Sequence, residues 1–248
     1  MEQKTAVVTG AHGGLGEAMC KALIEQGRKV IGTYYPGAAT EAAALAWQKE
    51  MSAAGCALAL YPLDVTDFDA CVAFYAQAQA DHGPISILVN NAGITRDAPI
   101  KRMSIDQWRA VIDTNLSAMF NMVQPVFDAM CTQGWGRIVN ISSLNGEKGQ
   151  FGQSNYSAAK AGVYGLTKSL AQEGARKGVT ANSVSPGYID TPMVRQVPED
   201  ILNKIIAGVP VGRLGTPEDI SRAVAFLTAD DAGYITGTNL SVNGGQYM

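Results

Sequence analysis

Tyr156 and Lys160 stand four residues apart in the stretch SNYSAAK, and the serine pair Ser142–Ser143 lies upstream of them. On a helix, residues at i and i+4 project from one face, so a phenol and an ammonium would meet there. A free phenol titrates at about 10, too high for efficient acid–base work near neutrality. A neighbouring ammonium favours the phenolate, so Lys160 is expected to lower the pKa of Tyr156. The chemistry this pair suits is proton transfer to or from a substrate oxygen. Ser143 offers a hydroxyl to the same oxygen, whereas strand alternation is expected to turn Ser142 to the other side of its sheet. Between the serines and the tyrosine runs a loop, NGEKGQFGQ, that sets Phe151 between Gln150 and Gln153.

These residues need a scaffold, and the rest of the chain supplies a regular one. Short apolar runs (TAVVT, KVIGTY, LALYPL, ISILVN, GRIVNIS, VTANSVS and NLSV) read as buried strands. Segments of helical length and period fall between the first six, at about 14–26, 40–54, 67–81, 104–130 and 154–177. The alternation predicts an α/β fold: one Rossmann-type, doubly wound parallel sheet of about seven strands with helices on both faces. With no linker or repeat in the way, residues 1–248 are expected to form one domain. After the sixth strand the rhythm breaks. The proline- and glycine-rich segment at about 187–216 carries an amphipathic piece, EDILNKIIAGV, and is expected to be a substrate lid.

The first strand–helix turn, VVTGAHGGLGEAM, places Gly10, Gly14 and Gly16 where backbone N–H groups can approach a pyrophosphate at a helix N-terminus. LDV ends the third strand, where Asp64 is placed to accept from an adenine amino group. NNAG, residues 90–93, ends the fourth strand with small residues beside the same crevice.

Composition narrows the class of function. A net charge of −3 and a pI of about 5.4 argue against a nucleic-acid binder. No apolar run reaches the roughly 18 residues that a membrane span requires, and the start MEQKTAVVTG has no hydrophobic leader. Four scattered cysteines read as reduced thiols of a cytoplasmic protein, and two distant histidines predict no metal site.

T-G-x-x-x-G-x-G, N-N-A-G, the Asn of DTNL, the Ser of NISS, Y-x-x-x-K and SPG, in that order, resemble the classical short-chain dehydrogenase/reductases over nearly the whole chain. The resemblance implies that Tyr156 donates a proton to a ketone oxygen and that Ser143 hydrogen-bonds it. Lys160 would tune the tyrosine and hold the nicotinamide ribose, while Asn115 would bind a water that relays protons through the lysine. It places the cofactor against Gly10, His12, Gly14, Leu15 and Gly16 at one end. Tyr35, Asp64, Val65, Asn91, Ala92 and Gly93 would follow along the crevice, and Pro186, Gly187, Ile189 and Thr191 at the nicotinamide. NADH and NADPH both stay open. The end of the second strand, VIGTYYPGAAT, has neither the acidic residue of an NAD site nor a basic phosphate clamp, which favours NADH or dual use.

Within the family, NNAGITRD, GWGRIVNISSLNGEKGQFGQSNYSAAKAG and VSPGYIDTPMV resemble the acetoacetyl-CoA reductases of polyhydroxybutyrate synthesis. The 3-oxoacyl-[acyl-carrier-protein] reductases share the scaffold but generally not the GQFGQ loop. Acetoacetyl-CoA is therefore the expected substrate. Asp97, Gln150, Phe151, Gln153 and Tyr188 would line its pocket, with Arg102 and Arg195 near the CoA phosphates. A carrier-protein thioester and a non-catalytic dinucleotide sensor are the alternatives. Apolar or small residues on more than one face of two helices (Val111, Met119, Phe120, Val123 and Phe127; Ala158, Ala161, Gly162, Gly165 and Ala171) predict a partner, which in relatives makes a homotetramer.

Overall fold

Each apolar run becomes a strand of one parallel sheet in the computed structural model, which describes residues 3–191, 194–196 and 198–248. The strands are β1 (Thr5–Val8), β2 (Lys29–Tyr34), β3 (Ala59–Pro62), β4 (Ile85–Asn90), β5 (Gly136–Ile141), β6 (Val179–Pro186) and β7 (Asn239–Val242). Their order is β3-β2-β1-β4-β5-β6-β7, and every pairing is parallel. The strand order reverses between β1 and β4, and there the crossovers to the two halves leave on opposite faces and open a crevice at the carboxyl ends.

Period-two alternation divides the buried side chains between two cores. Val7, Leu88 and Ile138 face one layer, formed by α3 (Phe68–His82), α5 (Ala118–Gln133) and α7 (Ser154–Gly174). Their neighbours Val8, Val89 and Val139 face the other, formed by α1 (Gly14–Glu25), α2 (Ala38–Ala53) and α9 (Pro217–Leu227). Each fully buried Val, Leu or Ile contributes roughly 1.5–3 kcal/mol, so a one-residue slip in any strand would expose a whole row.

Three elements depart from the expected pattern. The predicted helix at 104–130 is α4 (Ile105–Ile112), a π-helical turn (Asp113–Ser117) and α5 in succession. The wider turn carries Asn115, which is fully buried. A short helix, α6 (Leu144–Lys148), forms inside the stretch read as loop, capped by the Ser143 hydroxyl accepting from the Asn145 N–H. Helix α9 had no counterpart in the sequence reading, although Thr216-Pro217 and Asp219 spell a helix start. Thr216 and Asp219 cap each other reciprocally, with Pro217 in the first turn. The segment expected to be the lid holds α8 (Glu199–Ala207), none of whose residues is buried.

Candidate active site

At the switch point, β1 and β4 are tied by side chains that leave their backbone facing the crevice. The Thr9 hydroxyl accepts from the N–H groups of Asn91 and Ala92, both at 3.0 Å. The Asn91 amide donates to the carbonyls of Thr9 (2.9 Å) and Gly10 (3.1 Å). Gly10 has φ +64° and a Cβ there would lie 3.2 Å from Ala92 Cα, so only glycine fits this turn. At Gly16 a Cβ would overlap the Gly10 carbonyl oxygen, which sets how tightly α1 seats on β1. Gly13, the cap of α1, offers no side-chain acceptor; its carbonyl takes the Gly16 N–H at 2.7 Å, and the N–H groups of Gly14 and Leu15 are the ones an anion there would meet.

A cleft of about 560 Å³ runs from this helix end across the carboxyl ends of β4, β5 and β6. Its far wall is built by β5, α6 and α7. The Lys160 ammonium, 3% exposed, donates to the Ile141 carbonyl at 2.7 Å, and the Ser142 hydroxyl donates to the Lys160 carbonyl at 2.7 Å. Ser142 is thus held against α7, the face on which Ile138 and Asn140 of the same strand lie, while Ile141, between Asn140 and Ser142, faces the other core, as strand alternation requires. The Ser142 N–H still donates to the Val184 carbonyl of β6 at 2.7 Å, so the pairing runs one residue past β5. α6 packs onto the Lys160–Tyr164 turn so closely that a Cβ at Gly146 would meet Tyr164 Oη and Lys160 Cβ at 2.9 Å. On the other side of the lysine, a Cβ at Gly93 would stand 3.2 Å from Asn115 Oδ1 and 3.6 Å from Lys160 Nζ. Asn115 lies behind Gly93 and holds both backbone groups of Ile94 at 2.8 Å.

Burial dominates the protonation of this wall. Lys160 is pushed down from the usual 10.5 to about 8 by desolvation of its ammonium. Tyr156 is held above its ordinary value of 10, first by burial, against the opposing hydrogen bond with Ser143. The expectation that Lys160 would lower the phenol is therefore corrected. The Lys160 nitrogen sits 5.7 Å from the centre of the Tyr156 ring and spends itself on the Ile141 carbonyl. At neutral pH the phenol therefore carries its proton, but the raised pKa makes it a weak acid in the cofactor-free cleft.

The structure gathers most of the expected residues and leaves others outside. Ser143, Tyr156 and Lys160 line the cleft. So do Gly10, Gly14, Leu15, Asn91, Ala92 and Gly93, and, from beyond β6, Pro186, Gly187, Ile189 and Thr191. A Cβ at Gly14 would lie 3.3 Å from Thr191 Cγ2, so the segment after β6 closes over the glycine turn. His12, Gly16, Tyr35, Asp64 and Val65 do not line it. They belong to the glycine turn and to the β2–β3 side, and Asp64 uses one carboxylate oxygen to accept from the N–H and hydroxyl of Thr66. Of the expected substrate residues, Gln153 and Tyr188 reach the cleft. Asp97 stands one step behind, accepting from the Gln153 amide at 2.8 Å. Gln150 is exposed against Lys148 at 3.1 Å, and Phe151 is 86% exposed. Arg102 is exposed, and Arg195 forms a two-point pair with Asp190 at 2.7 and 2.9 Å. Asn145, which the sequence reading passed over, lines the cleft and donates to Gln153 at 2.9 Å. Only its place three residues before a short helix's end marks it, and that is no signal.

Because Lys160 titrates lower in the folded protein than in the unfolded chain, the folded state binds fewer protons between about pH 8 and 10.5, and stability rises with pH across that window. Measured against Lys160→Met, which lacks the titration, the wild type should gain about 3 kcal/mol over the full window. Chemical denaturation at a series of pH values checks this. Equal pH slopes for the two proteins would contradict it.

The cleft's two ends fit a dinucleotide, with backbone donors for phosphates at α1 and the Lys160 ammonium at the other end. Comparison with known proteins agrees. A family model described as short chain dehydrogenase matches residues 4–202. The chain is 54% identical over 246 residues to an acetoacetyl-CoA reductase of Rhizobium meliloti (strain 1021), covering 99% of each. It is 46% identical to an acetoacetyl-CoA reductase of Cupriavidus necator over the whole of both chains. A 3-oxoacyl-[acyl-carrier-protein] reductase of Vibrio harveyi is 45% identical over all of this chain and 99% of its own. By its fold, its cleft and these matches, the chain belongs to the short chain dehydrogenase family.

Proposed function

We propose that this chain reduces acetoacetyl-CoA to (R)-3-hydroxybutyryl-CoA. The observation that carries the reading is the meeting of Ser143, Tyr156 and Lys160 on one wall of a cleft whose other end is a helix N-terminus. The relatives named acetoacetyl-CoA reductase support the choice of substrate. When bound, a reduced nicotinamide dinucleotide supplies the hydride. Gly10, Gly14, Leu15 and the α1 N–H groups would hold its phosphates, with Asn91–Gly93, Lys160, Pro186, Gly187, Ile189 and Thr191 holding the nicotinamide end. We assign NADH or dual use, since Tyr34 and Tyr35 at the end of β2 bring no cation for a 2′-phosphate and the next charge is Glu41.

The chain's own residues handle the proton. The Ser143 hydroxyl donates a hydrogen bond to the ketone oxygen, and Tyr156 gives that oxygen its proton as negative charge develops. Lys160 keeps a positive charge beside the tyrosine below its pKa of about 8. Asn115 fixes the Ile94 backbone in front of the lysine, and we assign to it the water that relays protons through Lys160. Gln153, oriented by Asp97 and Asn145, would meet the thioester, with Tyr188 beside the four-carbon acyl group. Gln150 and Phe151 would act at the rim. Arg195 is engaged by Asp190, so Arg102 is the cation we assign to the CoA phosphates.

We further assign residues 1–248 to one reductase unit with a lid at about 187–216, working in the cytoplasm as a homotetramer. Among the described residues, no helix is long and apolar enough to cross a membrane. Phe120 on α5 is 54% exposed, and Ala158, Ala161 and Gly165 form an exposed small-residue stripe on α7. Light scattering should report about four times the 26.1 kDa chain mass, and a monomer mass would refute the assembly.

The Vibrio harveyi relative motivates a second reading, reduction of a carrier-protein thioester. Cofactor absorbance followed with acetoacetyl-CoA and with an acetoacetyl carrier protein separates them. The CoA ester should turn over, and Tyr156→Phe should lose about 10²–10⁴-fold in kcat while cofactor affinity is kept. Turnover of the carrier-protein ester alone would overturn the substrate assignment. No turnover of either, with intact cofactor binding, would leave the dinucleotide sensor.

A further inference from the structure

A second polar cluster sits directly behind Ser143, and the proton-transfer chemistry does not use it. Tyr164, one turn beyond Lys160 on α7, donates its hydroxyl to the Ser143 carbonyl at 3.1 Å and lies 3.1 Å from the Ser185 hydroxyl on β6. Glu147, in the last turn of α6, accepts through one carboxylate oxygen from the Asn239 amide at 2.8 Å and from the Ser241 hydroxyl. Both partners lie on the edge strand β7. Asn239 is itself fixed, its carbonyl oxygen accepting from Ser183 and Ser185 at 2.9 Å. Ser143 caps α6, whose five residues make too little hydrogen bonding to hold themselves in place. The direction of the Ser143 hydroxyl is therefore set by what grips α6 from outside.

We propose that Glu147 and Tyr164 are positioning residues that clamp α6 between β7 and α7 and so fix the Ser143 hydroxyl for the reacting carbonyl. The inference rests on the role given to Ser143 under the proposed reduction. Its physical content is that α6 and β7 form one unit: loosening the carboxylate from Asn239 and Ser241 frees the helix, and the serine hydroxyl moves with it. A misplacement on the order of 1 Å costs up to about a hundredfold in rate.

A double-mutant cycle tests the route. Glu147→Ala should lower kcat for acetoacetyl-CoA by about ten- to a hundredfold, with NADH affinity from fluorescence titration within about twofold of wild type. Glu147→Gln keeps the accepting oxygen and should recover most of the rate. In a Ser143→Ala background, Glu147→Ala should cost little further, and Tyr164→Phe should behave the same way. Hydrogen exchange gives a readout without turnover: Glu147→Ala should speed exchange of the Asn145 and Gly146 amides and leave α1 unchanged. Equal losses with and without Ser143, or unaltered exchange in α6, would overturn the clamp. A wild-type protein that reduces neither thioester would refute the proposed reduction instead, and the exchange arm would still decide the clamp.

Discussion

The arrangement depends on a lysine ammonium buried where the sheet ends. Taking a cation out of water costs several kcal/mol unless oxygen atoms replace the lost hydration. Here the Ile141 carbonyl replaces part of it at 2.7 Å, and the lysine's own carbonyl is gripped by Ser142 at 2.7 Å. The end of β5 and the first turns of α7 are thereby locked in one register. The same constraint explains glycines far apart in sequence. Gly93 and Gly146 let β4 and α6 approach the lysine from two sides, where a methyl group would push them off.

From that anchor the cleft acquires two ends of different character. At the glycine turn the lining is backbone: the α1 N-terminus without a side-chain cap, and β1 and β4 knitted by Thr9 and Asn91. At the lysine end it is side chains whose ionisation burial has shifted. A tyrosine held above its ordinary value and a lysine lowered to about 8, both by burial, stand one helical turn apart. The π-helical turn serves the same end, since it carries Asn115 into a fully buried position beside Gly93.

Much of this was legible in the sequence, for identifiable reasons. The inner strands β1, β2, β4, β5 and β6 are almost wholly buried and show as short, largely apolar runs, and the more exposed edge strands β3 and β7 formed beside them. Motif spacing brought Ser143, Tyr156 and Lys160 together because i and i+4 share a helix face. What escaped was tertiary. α9 was hidden behind a proline-rich segment despite its Thr216–Asp219 cap, and α6 is too short to carry a period. The sign of the Tyr156 shift depended on how deeply the phenol is buried. Gln150 and Phe151 were placed at the substrate by closeness in sequence, whereas the loop turns them out and leaves Gln153 in the cleft.

The central claim is that burial, rather than the neighbouring ammonium, governs the Tyr156 phenol. Titrating the ring-carbon resonance of Tyr156 by NMR in protein labelled at the tyrosine ζ-carbon measures this directly, with Tyr156→Phe identifying the signal. The account predicts an apparent pKa above the ordinary tyrosine value of 10 in the cofactor-free protein. A value below 10 would show that Lys160 outweighs desolvation and would contradict it.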